Sequence, residues 1–355
     1  MNRFVMLLAM VLSMVSLSQT EIRFLKCPAG DALAKAKAEK KHVLVDFYTD
    51  WCRWCDTLDN RTYSDARVEK LVSGSAIPLK VDAEKGEGVE LARKYSVRGF
   101  PTVVLIDTAG TEIDRIVGYV PPDAFLNSLS GFLKNENTIG SLKAAFSRNS
   151  KDPGAAYALA HRYSDRFDAA EAADSYVSYL ALDPANSLNH HQEALFAIAT
   201  SSLRTKNDAS GMERFVGKYP SAEESKQALA MLMNFYLTHK QGDEARKAFD
   251  RYDAAWPGDA QMMNNYAWTC ATQKTNLAHA AEVSARSVAR AATGPEKAMY
   301  MDTQAAVAFA RGDVASAVSI QESAIALLAN VPAKEKKPYE ESLAKYRAVA
   351  GTNTK

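Results

Sequence analysis

Two cysteines separated by two residues, Cys52 and Cys55, are the side chains best suited to covalent chemistry. Arg53 and Trp54 lie between them, and Trp51 precedes them. Cysteines at this spacing can close a small disulfide and reopen it, exchanging two electrons with another thiol pair. The motif follows an apolar run at 43–48 and opens a helical pattern. That placement gives the two sulfurs different tasks. Cys52, at the helix start, is expected to be the exposed attacker, because free backbone N–H groups and the helix dipole stabilise its thiolate. Arg53 adds a positive charge beside it. Cys55, one turn in, is expected to be shielded and to resolve the mixed disulfide that Cys52 forms.

Other readings of the same residues compete. A single CxxC can be half of a zinc site. The chain has no second CxxC, and His42, His161, His190, His191, His239 and His279 show no ligand spacing near the first, so no metal is expected. A purely structural disulfide is open as a reading, although so tight a loop constrains the unfolded chain very little. Trp51 and Trp54 read either as core aromatics or as groove walls. Trp54, between the cysteines, is expected to be exposed, shielding the sulfurs and contacting substrates. Cys270 sits in a helical pattern with Tyr266 and Trp268 and reads as a buried core thiol, while Cys27 reads as free.

The motif needs a rigid frame, and the first third of the chain alternates strand and helix patterns. Residues 31–41 read as a helix and 43–48 as a central buried strand. Residues 55–71 read as a helix, irregular near Thr62-Tyr63. Strands follow at 77–81, 102–106 and 112–117, with helices at 89–95 and 122–133. The pattern implies an α/β sheet. After a polar stretch at 135–151 no strand pattern remains, so the rest is expected to be all-α.

The helical half repeats itself. Leu159, Tyr163, Ala172, Tyr176 and Pro184 recur as Leu232, Tyr236, Ala245, Phe249 and Pro257 at identical spacings. The small residues let paired helices approach, and the prolines end the second helix of each pair. A degenerate copy is expected at 186–219, with further helix pairs at 262–292 and 296–328. A polar capping helix is expected at 335–349. This pattern resembles the tetratricopeptide repeat, whose stacked helices imply a groove for an extended peptide or protein partner.

Composition narrows the setting. The chain has 355 residues, 47% of them hydrophobic, with a formal charge of +1. Two domains are expected, and near-neutrality argues against nucleic acid as a partner. Arg3 followed by an apolar run at 4–17 and small residues at 16–18 reads as a signal peptide cleaved after Ser18. The run is shorter than the roughly 20 residues a membrane-spanning helix needs. The expectation is a protein exported to the periplasm or beyond and soluble after cleavage, with segments 1–18, 22–134, a linker at 135–151 and helical repeats at 152–350.

Residues 43–133 resemble the thioredoxin fold. The segment 45–55, ending Trp51-Cys52-Arg53-Trp54-Cys55, is similar to that family's active-site strand and turn. Arg98-Gly99-Phe100-Pro101-Thr102 resembles its second signature and Val117-Gly118 its third. The WCxWC form resembles exported thioredoxin-like proteins and the soluble domains of disulfide-interchange proteins. The resemblance implies catalytic roles for Cys52, Cys55, Asp46 and Pro101. Asp46, six residues before Cys52, would be the buried acid that assists proton transfer at Cys55, its pKa raised by burial. Pro101 would be a cis-proline facing the disulfide and presenting the backbone of Phe100 to a substrate strand. Gly118 would keep the groove clear, with Trp51, Arg53, Trp54 and Phe100 lining it. The family's strand lysine opposite the buried acid is not matched, with Pro78 at that place and Lys80 two residues on.

The implied function is an exported thiol–disulfide oxidoreductase of reductase or isomerase type. It would need no cofactor beyond the Cys52–Cys55 disulfide. Its partners would be protein thiols and disulfides, and a thiol-reductant carrier at the membrane. The alternative is a repeat-based adaptor whose thioredoxin-like domain is mainly structural.

Overall fold

The structure is a computed structural model that describes residues 21–352. The expected signal segment lies outside the described residues. The described residues divide into two compact units, with the boundary after Leu188.

The first unit is built on four strands in the order β2-β1-β3-β4. They are β1 (His42–Tyr48), β2 (Ala76–Asp82), β3 (Thr102–Ile106) and β4 (Glu112–Val117). β1 runs parallel to β2 and antiparallel to β3, and β4 is antiparallel to β3. The apolar run at 43–48 thus becomes a central strand with partners on both sides, as its composition requires. Its alternation assigns the two faces. Val43, Val45 and Phe47 pack with α1 (Ala29–Glu39) and the region of α4 (Glu87–Lys94). Leu44 packs on the other face, with Leu58, Val68, Val72, Phe125 and Leu129. A period of two puts Asp46 on that second face too.

The helix expected over 55–71 is broken in two, α2 (Arg53–Arg61) and α3 (Ala66–Ser75). The break falls where irregularity is expected, and its causes are local. The Thr62 hydroxyl donates to the Val120 carbonyl at 2.6 Å, and Asp65 caps α3 by accepting from the Arg67 N–H. The break turns Tyr63 inward, where its ring meets Phe24 and Phe125. α5 (Pro122–Leu133) closes the sheet layer, with Pro at its first turn.

The stretch expected to be a linker is not open chain. Residues 139–148 form α6 (Ile139–Arg148), whose first N–H donates to the Asp114 carboxylate of β4 at 2.7 Å. The pair α7 (Pro153–Asp165) and α8 (Ala169–Leu182) follows in the same compact unit. Arg162 and Arg166 on and just beyond α7 reach Asp114 at 2.7 and 2.6 Å. Buried charge pairs therefore bind the first repeat pair to the sheet, which composition alone could not reveal.

The second unit holds α9 (His191–Lys206), α10 (Ser210–Lys218), α11 (Glu223–Thr238), α12 (Gly242–Ala255), α13 (Ala260–Gln273), α14 (Leu277–Arg290), α15 (Gly294–Ala310), α16 (Val314–Ala326) and α17 (Ala333–Thr352). Successive helices pair, and α11 packs on α13 and α13 on α15. This is the arrangement of a helical-repeat array. Ala172 in the first unit and Ala245 in the second are both buried at their pair interfaces. The expected degenerate copy is α9 with α10, and α17 is the expected terminal helix. Cys270 is buried in this core, where burial pushes its thiol up to about 12, while Cys27 is half-buried and free.

Candidate functional site

Cys52 and Cys55 form a disulfide with Cα atoms 5.3 Å apart. Cys52 is the N-cap of α2, and the Cys55 N–H donates to the Cys52 sulfur at 3.1 Å. An N–H aimed at this sulfur, at the positive end of a helix, favours a thiolate there over one at Cys55. The expectation of an exposed Cys52 needs correction: the residue is only 5% exposed. In the disulfide its sulfur is turned toward Cys55, and large neighbours stand around it.

Those neighbours are aromatic. Trp51 is 69% exposed and Trp54 is 60% exposed. Trp51 meets Phe100 edge-on at 6.0 Å, and its indole N–H donates to Glu84 at 3.0 Å. Trp54 stacks on Tyr119 at 5.8 Å. Arg53 is exposed in the first turn of α2. Two aromatic pairs thus flank the motif, and Tyr119 was not anticipated from sequence.

The Phe100–Pro101 peptide is cis, and the Pro101 carbonyl accepts from the Gly118 N–H at 2.8 Å. Gly118 has φ +81°, the left-handed region that favours glycine. A Cβ there would meet no heavy atom within 4 Å, so the backbone angle and not crowding is what calls for glycine.

Asp46 is 1% exposed, and neither of its carboxylate oxygens makes a hydrogen bond. Its ion partner is Lys80, whose Nζ lies 3.3 Å from Oδ2. The β1–β2 register sets Asp46 directly beside Lys80, and Pro78 beside Leu44. The strand lysine that seemed unmatched is therefore present. Counting residues placed Pro78 opposite the acid, whereas the strand pairing moves the match by two positions. Lys80 also bonds both oxygens of Asp59 at 2.5 and 2.6 Å. Asp59 lies one helical turn beyond Cys55, a spacing that shares its face of α2 and was available in the sequence. Burial pushes Asp46 up to about 6; Lys80 opposes that rise and Asp59 adds to it. Burial also lifts the Tyr63 hydroxyl well above its usual value, reinforced by the charges of Asp46 and Asp59.

A solvent cleft of about 430 Å³ reaches this group, lined among others by Cys55, Asp59, Tyr63 and Lys80. The site thus has two sides. The aromatic side flanks the disulfide with the Trp51–Phe100 and Trp54–Tyr119 pairs. The polar side opens Cys55 and Lys80 to water, and the same Lys80 reaches the buried Asp46. The arrangement can pass a disulfide to a partner on one side and move a proton on the other.

Residues 29–132 match the thioredoxin-like domain family. Over 125 residues the chain is 31% identical to the thiol:disulfide interchange protein DsbD of Cronobacter sakazakii, covering 34% of this chain and 22% of that protein. The chain thus matches about a fifth of that relative's length. A thioredoxin from Thermus thermophilus is 34% identical, with 31% of this chain and 85% of that one covered and a TM-score of 0.29. A tetratricopeptide repeat protein from Parabacteroides merdae is 15% identical, with 64% and 82% covered and a TM-score of 0.34. The N-terminal region is a thioredoxin-like domain homologous to thiol:disulfide interchange proteins, and a helical-repeat region follows it.

Proposed function

We propose that the protein is an exported thiol–disulfide oxidoreductase of reductase or isomerase type, with Cys52 as attacker and Cys55 as resolver. In the reduced protein, the Cys52 thiolate attacks one sulfur of a partner disulfide. A mixed disulfide forms, and the partner's other sulfur leaves as a thiolate. Cys55, giving its proton to Asp46, attacks the Cys52 sulfur and releases the partner's second thiolate. Two electrons pass to the partner, and the Cys52–Cys55 disulfide remains. A dithiol donor at the membrane then restores the reduced pair.

The observation that carries this reading is the Cys52–Cys55 disulfide at a helix N-terminus, together with a buried acid of pKa about 6 paired to the lysine that lines the same cleft as Cys55. A group titrating there can take a proton and give it up near neutral pH. The cis Phe100–Pro101 segment offers backbone to an extended substrate, between walls formed by Trp51 and Trp54. The repeat helices would select the partner protein. The targeting pattern at 1–18 supports export, and among the described residues no helix is long and apolar enough to cross a membrane.

The test is Cys52→Ser in the full chain, assayed by reduction of a protein disulfide such as that of insulin. Turnover should vanish, and Cys55→Ser should accumulate the mixed disulfide on Cys52. Unchanged turnover in Cys52→Ser would sink the enzymatic reading in favour of the adaptor. The direction is read from the reduction potential: thioredoxin-fold values run from roughly −270 to −120 mV, and a reductase belongs near the lower end.

A further inference from the structure

The extended segment preceding α1 takes part in the polar side of the site. Leu25 pairs in parallel with Leu79, its N–H donating to the Pro78 carbonyl at 2.8 Å and its carbonyl accepting from the Lys80 N–H at 3.0 Å. Residues 21–26 are thereby fixed in register on the strand that bears Lys80. Ile22 is buried in the core beside them. Phe24 lies against Tyr63 with ring centroids 4.9 Å apart. The Lys80 ammonium sits 5.3 Å from the Phe24 ring, 5.3 Å from Tyr48 and 5.9 Å from Tyr63. Three rings surround one cation, which also touches Asp59 and Asp46.

We propose that residues 21–26 are a working wall of the redox site, in which Phe24 is a positioning residue that holds the Lys80 ammonium against Asp46. The inference rests on the redox reading above and adds the element that tunes its proton-transfer group. Lys80 is the close positive charge on Asp46 and the strongest of the influences that oppose burial there. Asp59 competes for the same ammonium at shorter distance. A cation shared between two carboxylates moves toward the stronger hold unless something keeps it in place. The face of an aromatic ring supplies such a hold. Phe24 closes this cage from outside the sheet.

The other groups that bear on Asp46 come from each neighbouring element. Cys55 and Asp59 lie on α2, and Tyr63 lies in the turn after it. At the cleft mouth stand Glu21, Lys26, Asp50 and Asp56. None of them replaces the ammonium as the close positive charge on the acid.

The experiment titrates the Asp46 carboxyl carbon by NMR in the oxidised full chain. There the two cysteines do not titrate, so the readout does not depend on turnover. Lys80→Met should raise the Asp46 midpoint by roughly 1 pH unit, because the lowering charge is gone. Phe24→Leu keeps the apolar bulk and removes only the ring face. It should raise the midpoint by roughly 0.3–0.5 pH unit, the equivalent of one weakened cation–ring contact. In the reduced protein the pH profile of disulfide exchange should move in the same direction. A wild-type midpoint in Phe24→Leu, with Lys80→Met displaced, overturns the proposal. A lowered midpoint overturns it too, since that would mean Phe24 only excludes water. Failure of turnover in otherwise sound protein would count against the redox reading and leave the titration result standing.

Discussion

Asp46 and Asp114 are both buried aspartates on the same sheet, and they are opposites. Asp46 on β1 makes no hydrogen bond and has one lysine at 3.3 Å. Asp114 on β4 is 0% exposed and accepts from Ile139 N–H, Arg115 N–H, Arg162 and Arg166. Burial pushes both up. At Asp114 the Arg162 bond and charge, the Arg166 charge and the Arg115 N–H outweigh burial and hold it below the usual carboxylate range. At Asp46 burial wins, to about 6. Burial alone therefore decides neither charge state nor purpose; the supply of donors does. Asp114 is satisfied and locks helices to the sheet. Asp46 is left short of partners, and under the proposed mechanism that lets it exchange a proton.

The largest test removes the satisfied acid. Asp114→Ala leaves the Arg162 and Arg166 guanidiniums facing a buried site without their shared acceptor. The expected cost is about 3–5 kcal/mol, the range for breaking a buried pair by removing one partner. Urea denaturation of the full chain measures it. A loss under about 1 kcal/mol would erase the contrast, because Asp114 would then behave as a surface ion pair does.

Removing the unsatisfied acid should have the opposite sign. Asp46 has a folded pKa raised from 3.8 to about 6, so the folded state binds more protons than the unfolded state between those values. Stability must then fall as pH rises through that window, by about 3 kcal/mol once Asp46 is fully charged. Asp46→Asn should stabilise the fold by about 2–3 kcal/mol at pH 7 and by almost nothing below pH 4. Lys80 keeps Asp59 as a partner in that variant, so no charge is orphaned. The rate of exchange should fall at the same time. Asp114 runs the other way: its contribution is present above the usual carboxylate pKa and is lost as pH falls through its lowered value. Denaturation at pH 4 and pH 7 separates the two groups. Equal effects of Asp46→Asn at both pH values would show that the acid is not held near 6.

The two aspartates also mark what sequence can and cannot carry. The run at 43–48 reads as a central strand because its composition is that of a strand covered on both faces. Cys52 and Cys55 read from local spacing, and the Gly99-Phe100-Pro101-Thr102 segment from its resemblance to a family signature. The repeat pairs read from recurring residues 73 positions apart, as in Ala172 and Ala245. The partners of both acids lie far off in sequence. Lys80 reaches Asp46 only through the β1–β2 register, and a miscount of two residues hides it. Arg162 and Arg166 reach Asp114 across 48 and 52 positions. No local pattern couples a polar strand residue to a helix so distant. The polar composition of 135–151 pointed to a linker because the apolar stripe of α6, Ile139, Leu142, Ala145 and Phe146, is short and set among Gly, Ser and Asn.

The smallest effect is the sharpest probe of the polar side. Tyr63 is fully buried, its ring packed on Phe24 and Phe125, yet its hydroxyl has no hydrogen-bond partner. Tyr63→Phe keeps both ring contacts and removes only that hydroxyl. Deleting an unpaired buried polar group relieves its desolvation cost, so the variant should be neutral or more stable by up to about 1 kcal/mol. A paired hydroxyl behaves differently, since its loss would strand an acceptor and cost about 1–3 kcal/mol. A destabilised Tyr63→Phe would therefore mean that the hydroxyl serves Asp46 as a donor. Asp46 would then be better supplied than its geometry shows, and its difference from Asp114 would be one of degree.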